Sequence, residues 1–352
     1  MVKVYIPKFL DGVPYIPLLI PNLGPVKFGG ELFKENTFRD FKDSAVEIVP
    51  DISEADFMLM PHNFSLVIKN NEYLKIFLDL FEKYKKKMII FAYGDRDLNI
   101  DLPGAIVFKY SMYKSSKHPN EIKMPTYVED LGNEKIEFRS KTSPVPVVGF
   151  CGWADYQDRF SHIKTVIKNI IIDVQSLSYG KKWGMRKKGV YFRKKILEAL
   201  IGSRLIIPNF IIRKTFSSHQ KTIDLSPEIA RRQYVENIFN SDFSLAIRGD
   251  GNESMRFYEI LSLGRIPILI DTDIVLPLED KINYDDFILR IYPEDFSAID
   301  VLTADFYRKT SAAVLIEMQK KARAAFEGYL RPDSYFRHMF SDPKIILSQI
   351  NR

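Results

Sequence analysis

Short apolar runs alternate with polar or amphipathic stretches over the first 130 residues: Val2 to Ile6, Phe57 to Met60, Met88 to Tyr93 and Ala105 to Phe108 read as strands. Between them, Tyr73 to Lys86 sets Leu74, Ile76, Phe77, Leu80 and Phe81 at helical spacing, and its lysine-rich end suits a helix C-terminus. This alternation predicts a parallel α/β sheet. From Leu131 to Pro146 the pattern dissolves into a polar, charged stretch closed by two prolines, which predicts a linker. The rhythm then restarts. Val147 to Phe150, Leu205 to Ile212 and Phe243 to Ile247 predict strands, separated by helices near Arg193 to Leu200 and Pro227 to Asn240. Ala304 to Tyr329 predicts one long amphipathic helix, and Tyr335 to Ile350 predicts further helix. The expected organisation is a sheet domain over 1–140, a second over 147–325, and a helical segment over 326–352 that packs back on the first domain. Two doubly wound domains in series would leave a cleft at the carboxyl ends of their strands, where such sheets bind ligands.

Composition narrows the class. At 352 residues the chain exceeds what one hydrophobic core usually serves, and 46% apolar with 27% charged residues describes a globular protein. The longest apolar runs, such as Val147 to Ala154, fall well short of the ~20 residues that span a bilayer. The first residues read as a strand rather than a secretory leader. Cys151 is the single cysteine, so neither an internal disulfide nor a thiolate metal cage can form, and a reducing, cytoplasmic compartment is expected. The net charge of +6 is modest, but residues 181–195 gather lysines and arginines beside Trp183, Tyr191 and Phe192. Such a run suits a sugar-nucleotide diphosphate, a lipid-linked pyrophosphate or an anionic membrane surface, and equally a solvated loop entering a helix. No nucleic-acid-binding motif accompanies it.

The stretch from Ser241 to Asp280 carries the candidate chemistry. It parses as strand, glycine loop, short helix and buried strand, with Gly249 and Gly251 allowing a tight turn and close backbone approach to a ligand. Asn252 or Ser254 can cap the helix, and Gly264 can end it. A helix N-terminus behind a glycine turn offers free N–H groups to an anion. Arg248 and Arg256 would add charge-assisted bonds to diphosphate oxygens. Arg256 and Glu259, three apart, share a helix face, so the carboxylate could accept from ribose hydroxyls. The plain alternative is that the two simply form an intrahelical ion pair.

These residues, standing as RGDG, SMRFYEIL and GRIPILIDTDIVLPLED, resemble the exostosin family, glycosyltransferase family 47, over about 40 residues. In the N-terminal half, Ser53 to Pro61 resembles that family's E-A-D-hydrophobic-P strand, and Tyr93 to Asp97 is similar to its G-R-D-H turn. The resemblance implies a GT-B architecture of two facing Rossmann-like domains, an inverting enzyme without bound metal, and a nucleoside-diphosphate (UDP-type) sugar held by the C-terminal domain. Arg248, Arg256 and Glu259 would then hold the nucleotide, with Gly249, Gly251 and Ser254 shaping its phosphate site. A glycan or glycolipid would be the acceptor, with peripheral membrane association compatible. Animal and plant members usually carry a membrane anchor and several cysteines, so a bacterial or viral relative is expected.

Rival constellations remain. Asp271-Thr272-Asp273 and Asp95-Arg96-Asp97 are D-x-D strings at strand ends, and such carboxylates suit Mg²⁺ or Mn²⁺ in a metal-dependent GT-A transferase. An inverting enzyme needs a base near the acceptor hydroxyl. Asp95 is the first candidate, with Asp155 and His62 as rivals; the plainer account is loop capping for the aspartates and a surface or packed histidine for His62. Arg213, at a strand end, is placed to assist the leaving diphosphate or simply to meet solvent. Trp153 and Tyr93 offer stacking faces for sugar or base, or fill the core. The five histidines show no zinc spacing. A third reading is a catalytically silent glycan-binding or assembly partner that keeps the fold.

Overall fold

The computed structural model describes the whole chain except residues 27–29, 133–135, 157–158, 218 and 351–352. Six parallel strands build the N-terminal sheet: β1 (Val2–Tyr5), β2 (Val46–Ile48), β3 (Phe57–Asn63), β4 (Met88–Ala92), β5 (Ala105–Lys109) and β6 (Glu121–Lys123). Their order is β2-β1-β3-β4-β5-β6. Two single-turn helices, α1 (Ile20–Leu23) and α2 (Phe64–Val67), and the longer α3 (Asn71–Tyr84) lie in the connections. The central strands are apolar without interruption because both faces are covered, as Met-Ile-Ile-Phe-Ala in β4 illustrates. Asn70 starts α3 by accepting from the Tyr73 amide, Tyr73 and Phe77 seat it on the sheet, and Lys85 closes it in a left-handed conformation.

The C-terminal sheet repeats the plan with β7 (Val147–Trp153), β8 (Ile207–Arg213), β9 (Phe243–Ala246), β10 (Ile266–Ile270) and β11 (Leu289–Ile291), ordered β11-β10-β9-β7-β8 and again wholly parallel. Its helices are α4 (Arg159–Tyr179), α5 (Gly189–Leu200), α6 (Pro227–Phe239), α7 (Met255–Ser262), α8 (Ile299–Lys309) and α9 (Ala312–Ala325). Each sheet changes winding direction once. In the second sheet the change falls between β7 and β9, so the crevice beyond the ends of those two strands is the expected ligand site. The expected α/β architecture of two doubly wound sheets is therefore present.

Three expectations need revision. The single helix over Ala304 to Tyr329 is two helices, because Ser311 breaks the run and caps α9 by accepting from the Val314 amide. A π-helical turn, Phe326–Leu330, follows. The terminal helix is likewise split into α10 (Pro332–Met339) and α11 (Pro343–Gln349), with Asp342 capping and Pro343 opening the second. The stretch read as a linker, whose residues 133–135 lie outside the described ones, is strapped to the C-terminal half rather than loose. Arg139 exchanges two bonds with Gln319 and pairs with Asp242 at 2.7 Å, while Asp130 takes a bidentate grip from Arg323.

The terminal helices return to the first sheet. Phe336 stacks on Phe41 at 5.5 Å, Phe340 stacks on Phe108 at 5.7 Å, and the Phe340 carbonyl accepts from the Val2 amide at 2.8 Å. Both phenylalanines are fully buried. Truncating Phe340 to alanine removes its ring from this packed aromatic cluster, and equilibrium denaturation is expected to record a loss of ~3–5 kcal/mol.

Candidate functional site

The loop after β9 is held from several sides. Arg248, 3% exposed, donates to the Tyr113 hydroxyl at 2.7 Å, the Met185 carbonyl at 2.8 Å and the Asp250 carbonyl at 2.8 Å, with longer contacts to Gly249 and Asn252. Its donors are thus engaged by protein acceptors that fix the loop, rather than presented to a diphosphate. Gly251 finds its reason at the opposite wall: a Cβ there would stand 2.8 Å from the Asp95 Cα, and its amide donates to Asp95 Oδ1 at 3.3 Å. The close approach is therefore to the N-terminal half, not to a ligand. A Cβ on Gly249 would stand 3.9 Å from the Arg193 guanidinium, an ordinary contact distance.

The next residues deepen the seam. Asn252, expected as a possible cap, instead donates from its side chain to the Met112 and Asp273 carbonyls, and its backbone amide donates to the Ser111 hydroxyl oxygen. Glu253 meets the Thr126 hydroxyl and lies 3.9 Å from the Lys123 ammonium. Burial pushes the Lys123 pKa down to about 8, against the pull of Glu253, and pushes the Glu253 carboxyl up. Ser254 occupies the N-cap of α7, but its side chain makes no capping bond.

Arg256 and Glu259 share a face of α7 without pairing directly. The Tyr234 hydroxyl lies between them, donating to Glu259 at 2.5 Å and accepting from Arg256 Nε at 3.4 Å. Burial raises the Glu259 carboxyl pKa, and the tyrosine and Arg256 oppose that shift. The Arg256 guanidinium lies over the Phe150 ring at 4.2 Å and donates to the Cys151 carbonyl at 2.5 Å. Gly152 makes room for it, since a Cβ there would fall 2.5 Å from Nη2. Arg193, from α5, reaches the same crevice and donates to the Trp153 carbonyl at 2.9 Å. Burial and the neighbouring charge of Arg256 push its pKa down.

Two donors are left over. Arg256 Nη1 and Arg193 Nε are both buried without a hydrogen-bond partner. Buried guanidinium N–H groups lacking acceptors are costly, and two of opposite helices at one crevice suit an anion with several oxygens. They stand at the end of β7 and the start of α7, at the point where the sheet changes winding direction. Arg193 belongs to the basic run of residues 181–195, but no local signal separated it from its lysine neighbours. Tyr234 carried no signal at all.

The remaining candidates fall into other roles. Asp95 lies at the mouth of the crevice, open to solvent yet crowded by both walls; that crowding and the nearby Asp250 raise its carboxyl pKa. Arg213 turns to α6, donating to the Ala230 carbonyl and Gln233, so its guanidinium joins strand to helix instead of facing the cleft. His62 is a packed histidine: Nε2 accepts from the Leu10 amide, Nδ1 meets the Pro14 carbonyl, and burial lowers its pKa. Asp155 caps its loop through the Tyr156 amide and faces Lys194 at 3.7 Å. The Trp153 indole N–H donates to the Asp155 carbonyl, and Tyr93 packs against Tyr110 and Tyr127.

Of the D-x-D strings, Asp271 pairs with Arg290 at 2.8 Å and Asp273 takes the Ser115 amide and hydroxyl and Lys182. Asp97 pairs with buried Lys109. Among the described residues no cluster of three or more metal-ligating side chains occurs. A cavity of about 280 Å³ lined by Lys87, Asn99 and His118 lies apart from all of these residues.

Residues 173–305 match the exostosin GT47 domain, so the resemblance seen in the sequence extends over α5 to α7 and into α8, taking in Arg193, Tyr234, Arg248, Arg256 and Glu259 but not Asp95 or the β7 carbonyls. Exostosin-1 homolog of Caenorhabditis elegans is 31% identical over 104 residues, covering 30% of this chain and 26% of its own length; the chain thus spans about a quarter of that relative. Among solved structures, TarM matches with a TM-score of 0.34 at 11% identity, covering 78% of this chain and 57% of its own. A glycosyltransferase from Rickettsia africae ESF-5 matches with a TM-score of 0.33 at 11% identity, covering 98% of both chains. Starch Synthase IV from Arabidopsis thaliana, bound to ADP and acarbose, matches with a TM-score of 0.31 at 11% identity, covering 85% of this chain and 56% of its own. At these scores the structural likenesses carry no argument about the site.

The seam makes its own prediction. Glu253→Ala strands the buried Lys123 charge and should cost ~3–5 kcal/mol in denaturant unfolding, whereas Lys123→Met with Glu253→Leu should recover most of that loss.

Proposed function

We propose that the chain is an inverting glycosyltransferase that takes a sugar from a nucleoside diphosphate donor to a glycan or glycolipid hydroxyl, in the cytoplasm and without a bound metal. The observation that supports it best is the pair of buried, unpartnered guanidinium donors, Arg193 Nε and Arg256 Nη1, beside the first turn of α7. The match of residues 173–305 to a glycosyltransferase domain supports the choice of donor class.

In this reading the diphosphate lies between α5 and α7. The acceptor oxygen attacks the anomeric carbon from the face opposite the diphosphate, the bond to the phosphate oxygen breaks, and its electron pair leaves with the diphosphate. Arg193, Arg256 and the amides of the α7 N-terminus are already aligned where that charge grows, which is where preorganised donors lower a barrier most. Glu259, oriented by Tyr234, accepts from the ribose hydroxyls. Arg248, Gly249, Gly251 and Ser254 act on the donor by shaping the loop. Asp95 is the proposed base: one oxygen is held by the Gly251 amide, and its raised pKa makes the carboxylate a stronger proton acceptor.

Arg193→Ala and Arg256→Ala are each expected to weaken nucleoside diphosphate binding by ~10- to 100-fold in calorimetry, with cooperative unfolding retained. Normal binding by both variants would remove this site. A panel of nucleotide sugars scored for transfer and slow hydrolysis tests the activity itself; binding without turnover would favour the silent partner. Asp95→Asn should lower kcat by ~10²- to 10⁴-fold with little change in KM, and turnover should survive a chelator.

A further inference from the structure

Helix α4 is mounted with its apolar side outward. Thr165, Asn169, Ile172 and Ser176 face the protein, and Asn169 and Ile172 are its buried positions. The opposite face carries Phe160, Ile163, Ile167, Ile170, Val174 and Leu177, each more than half exposed, with Leu177 at 86%. Placed at 100° per residue, these side chains form one continuous stripe along a 21-residue helix. A stripe of this size is not what an isolated surface helix shows, because an amphipathic helix ordinarily turns such a face to the core. The helix is held chiefly by the short helical turn Lys181–Arg186 that follows it.

Charge identifies what covers the stripe. Residues 160–188 hold seven lysines and arginines against one acid, Asp173, an excess equal to the +6 of the whole chain. Asp173 is itself paired with Lys187 at 2.7 Å. Lys164 and Lys168 are exposed on the helix, and Lys182 and Trp183 follow its end, where Trp183 packs on Tyr179 at 4.8 Å. Apolar stripe, lysine flank and terminal aromatic pair together are the composition of a helix that lies in the plane of a membrane interface. A second copy of the chain is disfavoured, since a two-fold contact would set this basic rim against itself. No helix among the described residues is long and apolar enough to cross a membrane, so the contact is peripheral.

We infer that α4 docks the protein on an anionic lipid surface, with its apolar stripe in the acyl boundary and the lysines at the headgroups. The inference stands apart from the donor reading, as it uses none of the donor-site side chains. α4 nevertheless joins β7, which supplies the Cys151 carbonyl to Arg256, to the segment leading into Arg193, so docking would hold the crevice beside the membrane.

The test is co-sedimentation of the full chain with sucrose-loaded vesicles of phosphatidylcholine containing 30% phosphatidylglycerol, compared with phosphatidylcholine alone. The wild type should prefer the anionic vesicles by about tenfold or more, with the preference falling as salt rises. Ile167→Glu/Ile170→Glu/Leu177→Glu alters only exposed positions, and should lose binding by at least ~10-fold while its thermal unfolding stays unchanged. A Lys164→Glu/Lys168→Glu variant should lose the anionic preference specifically. Absence of binding to anionic vesicles, or equal binding by the triple variant, overturns the inference. So does a wild-type dimer in light scattering that the triple variant dissolves, because the stripe would then be a contact between copies.

Discussion

The relation between the two sheets rests on a buried polar seam contributed by one loop. Residues 248–253 leave β9 and press into the carboxyl-end loops of the N-terminal sheet, where Arg248 reaches Tyr113, Asn252 reaches Ser111 and Met112, and Glu253 reaches Thr126 and Lys123. Water is largely excluded from these contacts, so each donor and acceptor must find its partner within the protein. The geometry tolerates little slippage: moving the loop would strand an ammonium, a carboxylate and a guanidinium together. The same loop opens the helix whose first turn faces the crevice, so domain placement and site geometry are set by one run of residues.

Much of the architecture was legible because its elements are locally consistent. Uninterrupted apolar strands such as β4 and β10, with glycine and aspartate near their ends, announce buried parallel strands whatever their neighbours do. Helix breaks were harder to read, since Ser311 and Pro343 interrupt runs whose apolar periodicity continues across them. Helix α4 escaped notice for a related reason: its apolar stripe does not face the core, and periodicity alone carries no information about which side of a helix meets the protein.

The candidate site divides along the same line. Arg256 and Glu259 sit three apart on one helix, so their common face follows from spacing alone. Tyr234, which holds them in register, comes from another helix and could be found only by folding the chain. Arg193 was visible as one cation in a crowded run, and only the packing of α5 against the end of β7 distinguishes it from its neighbours. Arg248 shows the reverse case. Its motif suggested a ligand contact, yet burial and a full set of protein acceptors give it a structural task. A glycine pair likewise admits two explanations, and at Gly251 the close neighbour is a backbone from the other sheet.

The return of α10 to the first sheet has a mechanical consequence. The chain crosses between the halves twice, once through the strapped segment that follows β6 and once through the π-helical turn after α9. Asp130 brings the two crossings together: it takes Arg323 of α9 in a bidentate grip and lies 3.7 Å from Arg331 of the second crossing. Two tethers joined at one place leave a rigid body few ways to move. Translation is resisted, and rotation about a line through the paired crossings is the softest freedom that remains. Any opening of the crevice would therefore follow a hinge whose axis passes near Asp130, with the loop of residues 248–253 travelling farther than the tethers themselves.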